Sequence, residues 1–215
     1  GLKSDFANGA RFNAAVFYTM VTDQQREVNL SDPITGVVQV IKNTADTDIF
    51  GVEFDTIFPV GDATVLTASL GYIDAEYQEI FFDLTGDGVI DEADLALKPP
   101  RAPELTYSIG ISHDFEFNTG SALSVRGTSA YVDDAFYTDD NRGRLNSRSN
   151  LTAGLDWFSP QGVWTVSLYG RNLLDDVGHG GDTQLPTILG PIPLGGTFAP
   201  LTRGAVAGLE VTFRQ

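Results

Sequence analysis

Residues 105–117 read LTYSIGISHDFEF and show the most regular alternation of side chains in this 215-residue chain. Every second residue from Leu105 to Phe117 is aliphatic or aromatic apart from His113, and the residues between them are Thr, Ser, Gly, Asp or Glu. Successive side chains of a β-strand point to opposite faces, so this period of two predicts a strand with one apolar and one polar face.

The same alternation recurs on both sides of this stretch. Further strands with one apolar face are predicted near residues 1–6, 10–20, 50–58, 66–73, 123–131, 151–157 and 164–169. The last strand lies in residues 201–215, LTRGAVAGLEVTFRQ, and we expect it to pair with the strand at 164–171 on one edge. The chain therefore contains about nine strands, several of them longer than the roughly 5–6 residues usual in soluble proteins.

The predicted connections alternate between short and long. Short turns are predicted at 7–9, 59–62, 118–120 and 159–162, and long polar loops near 29–39, 79–103, 133–147 and 175–200. All short turns then lie at one end of the sheet, as in outer-membrane β-barrels, whose periplasmic turns are short and external loops long. The predicted fold is all-β, an antiparallel transmembrane β-barrel.

A water-soluble antiparallel sandwich would also alternate, but it would place its large aromatic side chains centrally. Here many aromatic residues fall near strand ends, which favours the interfacial girdles of a barrel. They are Tyr18, Tyr72, Phe115, Phe117, Trp157, Trp164 and Phe213.

Composition narrows the function. The formal charge of −16, from 29 acidic and 13 basic residues, argues against binding a nucleic-acid backbone. Without cysteine the chain has no disulfide framework and no thiolate metal site. Neither a Gly-Xaa-Ser-Xaa-Gly elbow nor a phosphate loop occurs, so we expect no enzymatic activity.

Several segments in succession resemble the C-terminal part of TonB-dependent receptors, the active transporters of the Gram-negative outer membrane. These segments are residues 1–4 (GLKS), 13–18 (NAAVFY), 43–45 (NTA), 51–54 (GVEF), 70–77 (LGYIDAEY), 103–107 (PELTY) and 170–176 (GRNLLDD). In order and spacing they cover nearly the whole chain.

The resemblance implies a barrel of 22 strands around an N-terminal plug, energised by TonB. Residues 1–215 would be the C-terminal part of that barrel, with the plug and the TonB-contacting segment absent from this chain. Implied partners are outer-membrane lipid and lipopolysaccharide, the remainder of the receptor, TonB, and a scarce nutrient such as siderophore-bound iron, a cobalamin-like cofactor or an oligosaccharide. Family members commonly end on an aromatic residue, whereas Arg214 and Gln215 follow Phe213 here.

Residues 83–94, DLTGDGVIDEAD, resemble an EF-hand calcium loop of the dockerin type. Calcium requires several oxygen ligands at about 2.3–2.6 Å, and this spacing can arrange them around one point. The predicted ligands at positions 1, 3, 5, 7, 9 and 12 are Asp83, Thr85, Asp87, the carbonyl of Val89, Asp91 and Asp94. The ion would be structural Ca²⁺ in an external loop; the alternative is an acidic loop without an ion.

This motif also supports a second interpretation of the whole chain, a calcium-binding surface or adhesion β-protein in which the sheet is only a scaffold. Other candidate residues are weaker. His179 and His113 are expected to be structural. The acidic cluster of Asp133, Asp134, Asp139 and Asp140 is expected to be solvated or to face lipopolysaccharide with bound divalent ions; the alternative is contact with a ligand. The charged residues expected to face the lumen are Arg11, Glu53, Asp55, Asp114, Arg126, Asp156 and Arg171.

Overall fold

The computed structural model describes residues 1–32, 34–181, 183–184, 188–189, 192–193 and 197–214. Its strands are β1 (Leu2–Asp5), β2 (Arg11–Asp32), β3 (Gly36–Val60), β4 (Thr64–Ile80), β5 (Leu105–Glu116), β6 (Ala122–Val132), β7 (Ala135–Phe136), β8 (Arg144–Leu145), β9 (Arg148–Phe158), β10 (Trp164–Arg171), β11 (Thr183–Gln184), β12 (Ile188–Leu189), β13 (Ile192–Pro193), β14 (Thr197–Phe198) and β15 (Val206–Phe213). One short helix, α1 (Glu92–Leu95), precedes β5.

Nine of these strands form one antiparallel sheet in the order β1-β2-β3-β4-β5-β6-β9-β10-β15. The predicted strand count and antiparallel, all-β class are confirmed. β15 pairs with β10 along its whole length, from Trp164 opposite Phe213 to Arg171 opposite Val206, as the sequence predicts. No helix among the described residues is long and apolar enough to cross a membrane.

The register of the sheet places apolar and polar residues on opposite faces. One row of successive partners across β6, β9, β10 and β15 is Val125, Leu155, Leu168 and Leu209. The adjacent row is Ser124, Asp156, Ser167 and Glu210. Leu209 is 67% exposed, so nothing among the described residues covers the apolar face. A soluble sandwich would have buried it beneath a second sheet.

The short turns all contain a glycine in the left-handed region. Gly9, Gly61, Gly120 and Gly162 have φ of 81°, 65°, 80° and 68°. Such values suit glycine because it has no Cβ to clash with the backbone. The amides of Gly9, Gly120 and Gly162 each donate to the carbonyl three residues earlier, which closes the turn. The four short turns are confirmed, and β3 continues to Val60 before its turn.

The loop predicted at 29–39 is wrong. β2 and β3 stay paired as far as Asp32 opposite Gly36 and form a ribbon that extends past the last β3–β4 pair, Ala45 with Ile80. We call residues 25–43 the outer ribbon. Polar residues are compatible with strand pairing here because the ladder hydrogen bonds join backbone groups. At the tip the Asp32 carboxylate accepts hydrogen bonds from the amides of Ile34 and Thr35, at 2.8 and 2.7 Å.

The buried core lies outside the sheet's central band. Ala45, Tyr77 and Leu84 form a buried cluster between the outer part of β3 and β4 and the loop 81–104. Partly buried apolar side chains pack on it; they are Ile80, Phe82 and Leu97. The end of the sheet opposite the short turns therefore carries packed loops. We call loops 81–104 and 133–147 the outer loops.

Candidate functional site on the polar face and in the outer loops

The polar face contains the charged residues that the sequence assigns to the lumen. Asn13 Nδ2 donates to Asp55 Oδ1 at 3.0 Å, and these residues are register partners on β2 and β3. Arg126 on β6 forms an ion pair with Asp156 on β9. Both contacts keep charged groups satisfied on the face opposite the apolar side chains.

Glycines on this face lie opposite large side chains. A Cβ on Gly208 would come within 2.4 Å of the Tyr169 ring, and one on Gly154 within 2.9 Å of the Arg126 guanidinium. In both cases the glycine and the large residue are direct register partners. The missing Cβ lets the large side chain lie flat on the sheet, which keeps the space above the polar face open.

Two concave regions follow one another along β6, β9 and β10 on this face. The larger, about 460 Å³, is lined by Thr128, Thr152, Tyr169, Arg171 and Glu210 among others. The second, about 220 Å³, continues toward the outer end. Its lining includes Ala130, Arg148, Asn150, Asn172, Asp176 and Arg203.

The NLLDD segment ties three strand ends together at the outer end of these cavities. Asn172 Nδ2 donates to the carbonyls of Asp176 and Arg203 at 3.1 and 3.0 Å. The Asp176 carboxylate accepts from the Ser149 amide at 2.7 Å, and Asp175 accepts from the Ala205 amide at 2.8 Å. We call Asn172, Asp175 and Asp176 the clamp. It fixes the start of β9, the end of β10 and the approach to β15.

Two outer loops are docked on each other. Asn141 accepts from the Lys98 amide and donates to the Lys98 carbonyl, both at 2.8 Å, so one side chain joins loop 133–147 to loop 81–104. The Arg101 amide donates to the carbonyl of Phe136 at 2.6 Å. The Arg101 guanidinium lies 4.5 Å from the centroid of the Tyr137 ring. The two loops thus form one unit.

The acidic cluster predicted from the sequence is largely neutralised by arginines. Asp134 pairs with Arg144, Asp140 with Arg142, and Asp139 with Arg26 of the outer ribbon at 3.5 Å. Asp133 accepts a hydrogen bond from the Tyr131 hydroxyl at 3.0 Å. Burial raises the pKa of Asp139, although Arg26 opposes the shift. The cluster joins the loops to each other and to the ribbon.

In the loop that resembles an EF-hand, residues 83–94, the carboxylates accept hydrogen bonds from backbone amides. Asp94 is fully buried and accepts from the amides of Leu84 and Thr85 at 2.8 Å. Asp83 accepts from Gly86 and Gly88 at 2.6 and 2.7 Å. Burial raises the pKa of Asp83, but the hydrogen bonds that its carboxylate accepts lower the pKa by more, so the net shift is downward.

The remaining predicted ligands of that loop also have local roles. Asp87 accepts from the Val89 amide at 2.9 Å, and Asp91 caps α1 by accepting from Ala93 at 2.8 Å. Asp91 and Asp94 together form a capping box. No group of three or more acidic or histidine residues in the described part of the chain is close enough to hold a metal. The six predicted ligands lie in one loop, and calcium binding remains a prediction.

The two histidines have different surroundings. His113 Nδ1 lies 2.6 Å from the Thr64 hydroxyl, and its ring packs edge-on against Phe115 with centroids 4.2 Å apart. It sits near the short-turn end, where the sequence places it. His179 forms an isolated bridge with Leu201.

Sequence reasoning missed the roles of Asn141, Asn172, Arg148 and Arg203. Asn141 and Asn172 both have positive φ, 56° and 49°. Asparagine tolerates such angles well, but no local pattern gives its distant partners. The NLLDD motif was a signal for Asn172; nothing in the sequence marks the other three.

Together, the one-sided apolar sheet, the short turns at one end and the packed loops at the other define an outer-membrane β-barrel segment. The sequence profile of the family described as "TonB dependent receptor-like, beta-barrel" matches residues 1–173. The chain belongs to this family, whose β-barrels lie in the outer membrane of Gram-negative bacteria and act as transporters.

Solved structures agree on the fold. The ferric yersiniabactin uptake receptor FyuA from Yersinia pestis superposes with a TM-score of 0.75 at 19% identity, over 97% of this chain and 28% of that one. The siderophore receptor PiuA from Acinetobacter baumannii gives 0.72 at 16% identity, over 98% and 27%. BauA, the ferric preacinetobactin receptor of the same organism, gives 0.62 at 13% identity, over 97% and 28%.

The chain thus spans less than a third of the length of these receptors. No curated protein sequence matches it significantly.

Proposed function

We propose that this chain is the C-terminal part of the barrel of a TonB-dependent receptor that imports a ferric siderophore. The observation that carries the proposal is the family match over residues 1–173, together with the siderophore receptors among the structures that share its fold. A cobalamin-like cofactor or an oligosaccharide remains the competing substrate.

In this proposal the chain performs no covalent chemistry. Its apolar face contacts lipid and, toward the outer loops, lipopolysaccharide. Its polar face lines the path of the substrate, and the outer loops form part of the entrance. The plug and the TonB-contacting segment belong to the remainder of the receptor, and TonB supplies the mechanical work that opens the path.

Uptake of radioactive iron tests the proposal in the native organism grown under iron limitation. Deleting the receptor gene or the gene for TonB should abolish uptake of the same ferric chelate, and restoring the receptor should recover it. The receptor should also fractionate with the outer membrane and show heat-modifiable gel mobility. Uptake that is independent of TonB would contradict the proposal.

The alternative of a calcium-binding surface or adhesion β-protein has no support from the comparisons. Its sheet would have to cover the apolar face, and the described residues leave that face exposed.

We also propose that residues 83–94 bind Ca²⁺ weakly, in the range of roughly 0.1–1 mM, and that the ion stiffens the loop. The ligand spacing and the ionised, locally anchored Asp83 support this. Hydrogen exchange on the intact receptor should show protection of this loop as calcium rises to about 5 mM, roughly five times the upper end of that range.

Asp87→Asn combined with Asp91→Asn should abolish that protection, whereas Asp62→Asn in a short turn should leave it intact. An exchange rate that is independent of calcium would show that the loop is an acidic turn without an ion.

A further inference from the structure

Basic side chains are scarce in this acidic chain, yet several gather on one part of the polar face. Arg126, Arg148 and Arg171 lie on β6, β9 and β10, and Arg203 lies just before β15. Arg126 is paired with Asp156. No carboxylate of the described residues lies within 4.0 Å of the other three guanidinium groups.

Arg148, Arg171 and Arg203 line the two successive cavities. Arg171 lines the larger one, and Arg148 and Arg203 line the smaller. Arg171 and Arg203 are exposed and Arg148 is half-buried.

The clamp positions the backbone of all three arginines. Asn172 directly follows Arg171 and donates to the carbonyl of Arg203 at 3.0 Å. Asp176 accepts from the amide of Ser149, the residue after Arg148, at 2.7 Å. The clamp therefore links the backbone of three separate parts of the chain, each of which carries one of these arginines.

Stacking also restrains Arg171. Its guanidinium lies 5.7 Å from the centroid of the Tyr169 ring. That ring lies flat because Gly208 has no side chain beneath it. A guanidinium held against a ring keeps its N–H groups free for an external acceptor.

Two carboxylates share these cavities with the arginines. They are Glu210 in the larger cavity and Asp176 in the smaller. Asp176 is already engaged with the Ser149 amide, and Glu210 accepts from the Thr212 hydroxyl at 3.4 Å. The lining of the two cavities thus contains four arginines and two carboxylates, whereas acidic residues outnumber basic ones in the chain as a whole.

We propose that Arg148, Arg171 and Arg203 form an arginine site that binds the anionic groups of the transported ligand, which is then a negatively charged ferric chelate. This proposal rests on the proposed function, iron-chelate uptake. Guanidinium groups form paired, charge-assisted hydrogen bonds with carboxylate or phenolate oxygens, and these contacts are stronger than neutral ones.

The test uses the purified, intact receptor and two probes, an anionic ferric carboxylate chelate and a ferric trihydroxamate chelate without net charge. We expect the anionic chelate to bind. Its dissociation constant should rise at least tenfold in Arg171→Gln combined with Arg203→Gln, and by less than about threefold in the matched Lys pair, since lysine keeps the charge.

Arg214→Gln is the matched control because Arg214 lies beside the short turn at 159–162, where its amide donates to the carbonyl of Val163; it should leave binding unchanged. Heat-modifiable mobility of every variant verifies that the barrel is folded. The dissociation constant for the anionic chelate should also rise with salt concentration.

Three results would overturn the arginine site. If the uncharged chelate binds and is transported while the Gln variants change nothing, the arginine site fails and iron-chelate uptake stands. If neither chelate binds and no TonB-dependent iron uptake occurs, the proposed function itself fails. If the Gln variants lower the stability of the ligand-free receptor and leave binding unaltered, the arginines contact another part of the receptor.

Discussion

Single residues on the polar face decide how much open space the barrel wall leaves. Tyr169 lies flat because its register partner is Gly208, and Phe17 lies against Gly51 in the same way, with a Cβ–ring distance of only 2.1 Å if that glycine had a side chain. Alternation predicts the face of each residue, but only the register shows which glycine lies under which large side chain.

Gly208→Ala should destabilise the barrel by about 1–2 kcal/mol because its Cβ would overlap the Tyr169 ring. The measurement is the urea midpoint of unfolding of the receptor in detergent. Gly127→Ala is the control, since the nearest atom to its Cβ would be 3.8 Å away. In a Tyr169→Ala background Gly208→Ala should cost little; a full cost there would disprove the steric explanation.

Asp139 should make loop docking depend on pH. Its pKa is raised in the docked loop, chiefly by burial, with Arg26 and Arg101 opposing and Asp140 adding to the shift. The docked state therefore takes up a proton more readily than the undocked state. Docking should be strengthened as pH falls through the docked pKa toward 3.8, and weaker above that window.

Hydrogen exchange at the Arg101 and Tyr137 amides, corrected for intrinsic rates, measures this effect between pH 7 and pH 4. Asp139→Asn should remove the pH dependence. Faster corrected exchange on acidification would contradict the assignment.

At the scale of elements, the outer loops are held together by few side-chain contacts. Asn141→Gly keeps the positive φ of this position but removes both hydrogen bonds to Lys98. Each such bond contributes about 0.5–1.5 kcal/mol, so amides in loops 81–104 and 133–147 should exchange on the order of tenfold faster. Asn118→Gly in a short turn should leave those rates unchanged. Equal exchange rates in Asn141→Gly and the unmodified receptor would show that loop docking does not depend on the two hydrogen bonds between Asn141 and Lys98.

The elements differ in how far the sequence predicts them. β5 and β15 follow from alternation alone because each must separate lipid from a wet face. Residues 29–39 of the outer ribbon were predicted as a loop because polar residues interrupt the period there. The structure adds a register shift past Val21 and a φ of 55° at Asp23, neither of which the sequence shows. Beyond the bilayer no apolar face is required, so the pairing leaves no pattern to read.

The candidate sites show the same division. The 83–94 loop is visible because its ligands are defined by local spacing. The arginine site is not, because Arg148, Arg171 and Arg203 are brought together only by the pairing of β9, β10 and β15 and by the clamp. Contacts across the sheet between residues far apart in the chain cannot be predicted from one amino-acid sequence.

At the scale of the whole molecule, the assignment of the two faces can be tested with neighbouring residues. Leu168→Arg places a charge on the apolar face and should cost about 2–4 kcal/mol near the bilayer centre. Ser167→Arg places it on the polar face and should cost much less. The folded fraction after reconstitution into lipid vesicles, read by heat-modifiable mobility, distinguishes them. Equal losses would show that the faces are assigned incorrectly.

The two-faced sheet also bears on how such a chain leaves the cytoplasm. A segment is retained in the inner membrane when about 20 consecutive residues are apolar. Here serine, threonine, glycine and acidic residues fall between the apolar ones, and the mean hydropathy of the chain is −0.05. In transit, the polypeptide therefore resembles a hydrophilic secretory chain. Its affinity for lipid is created when the strands pair and the apolar side chains gather on one surface.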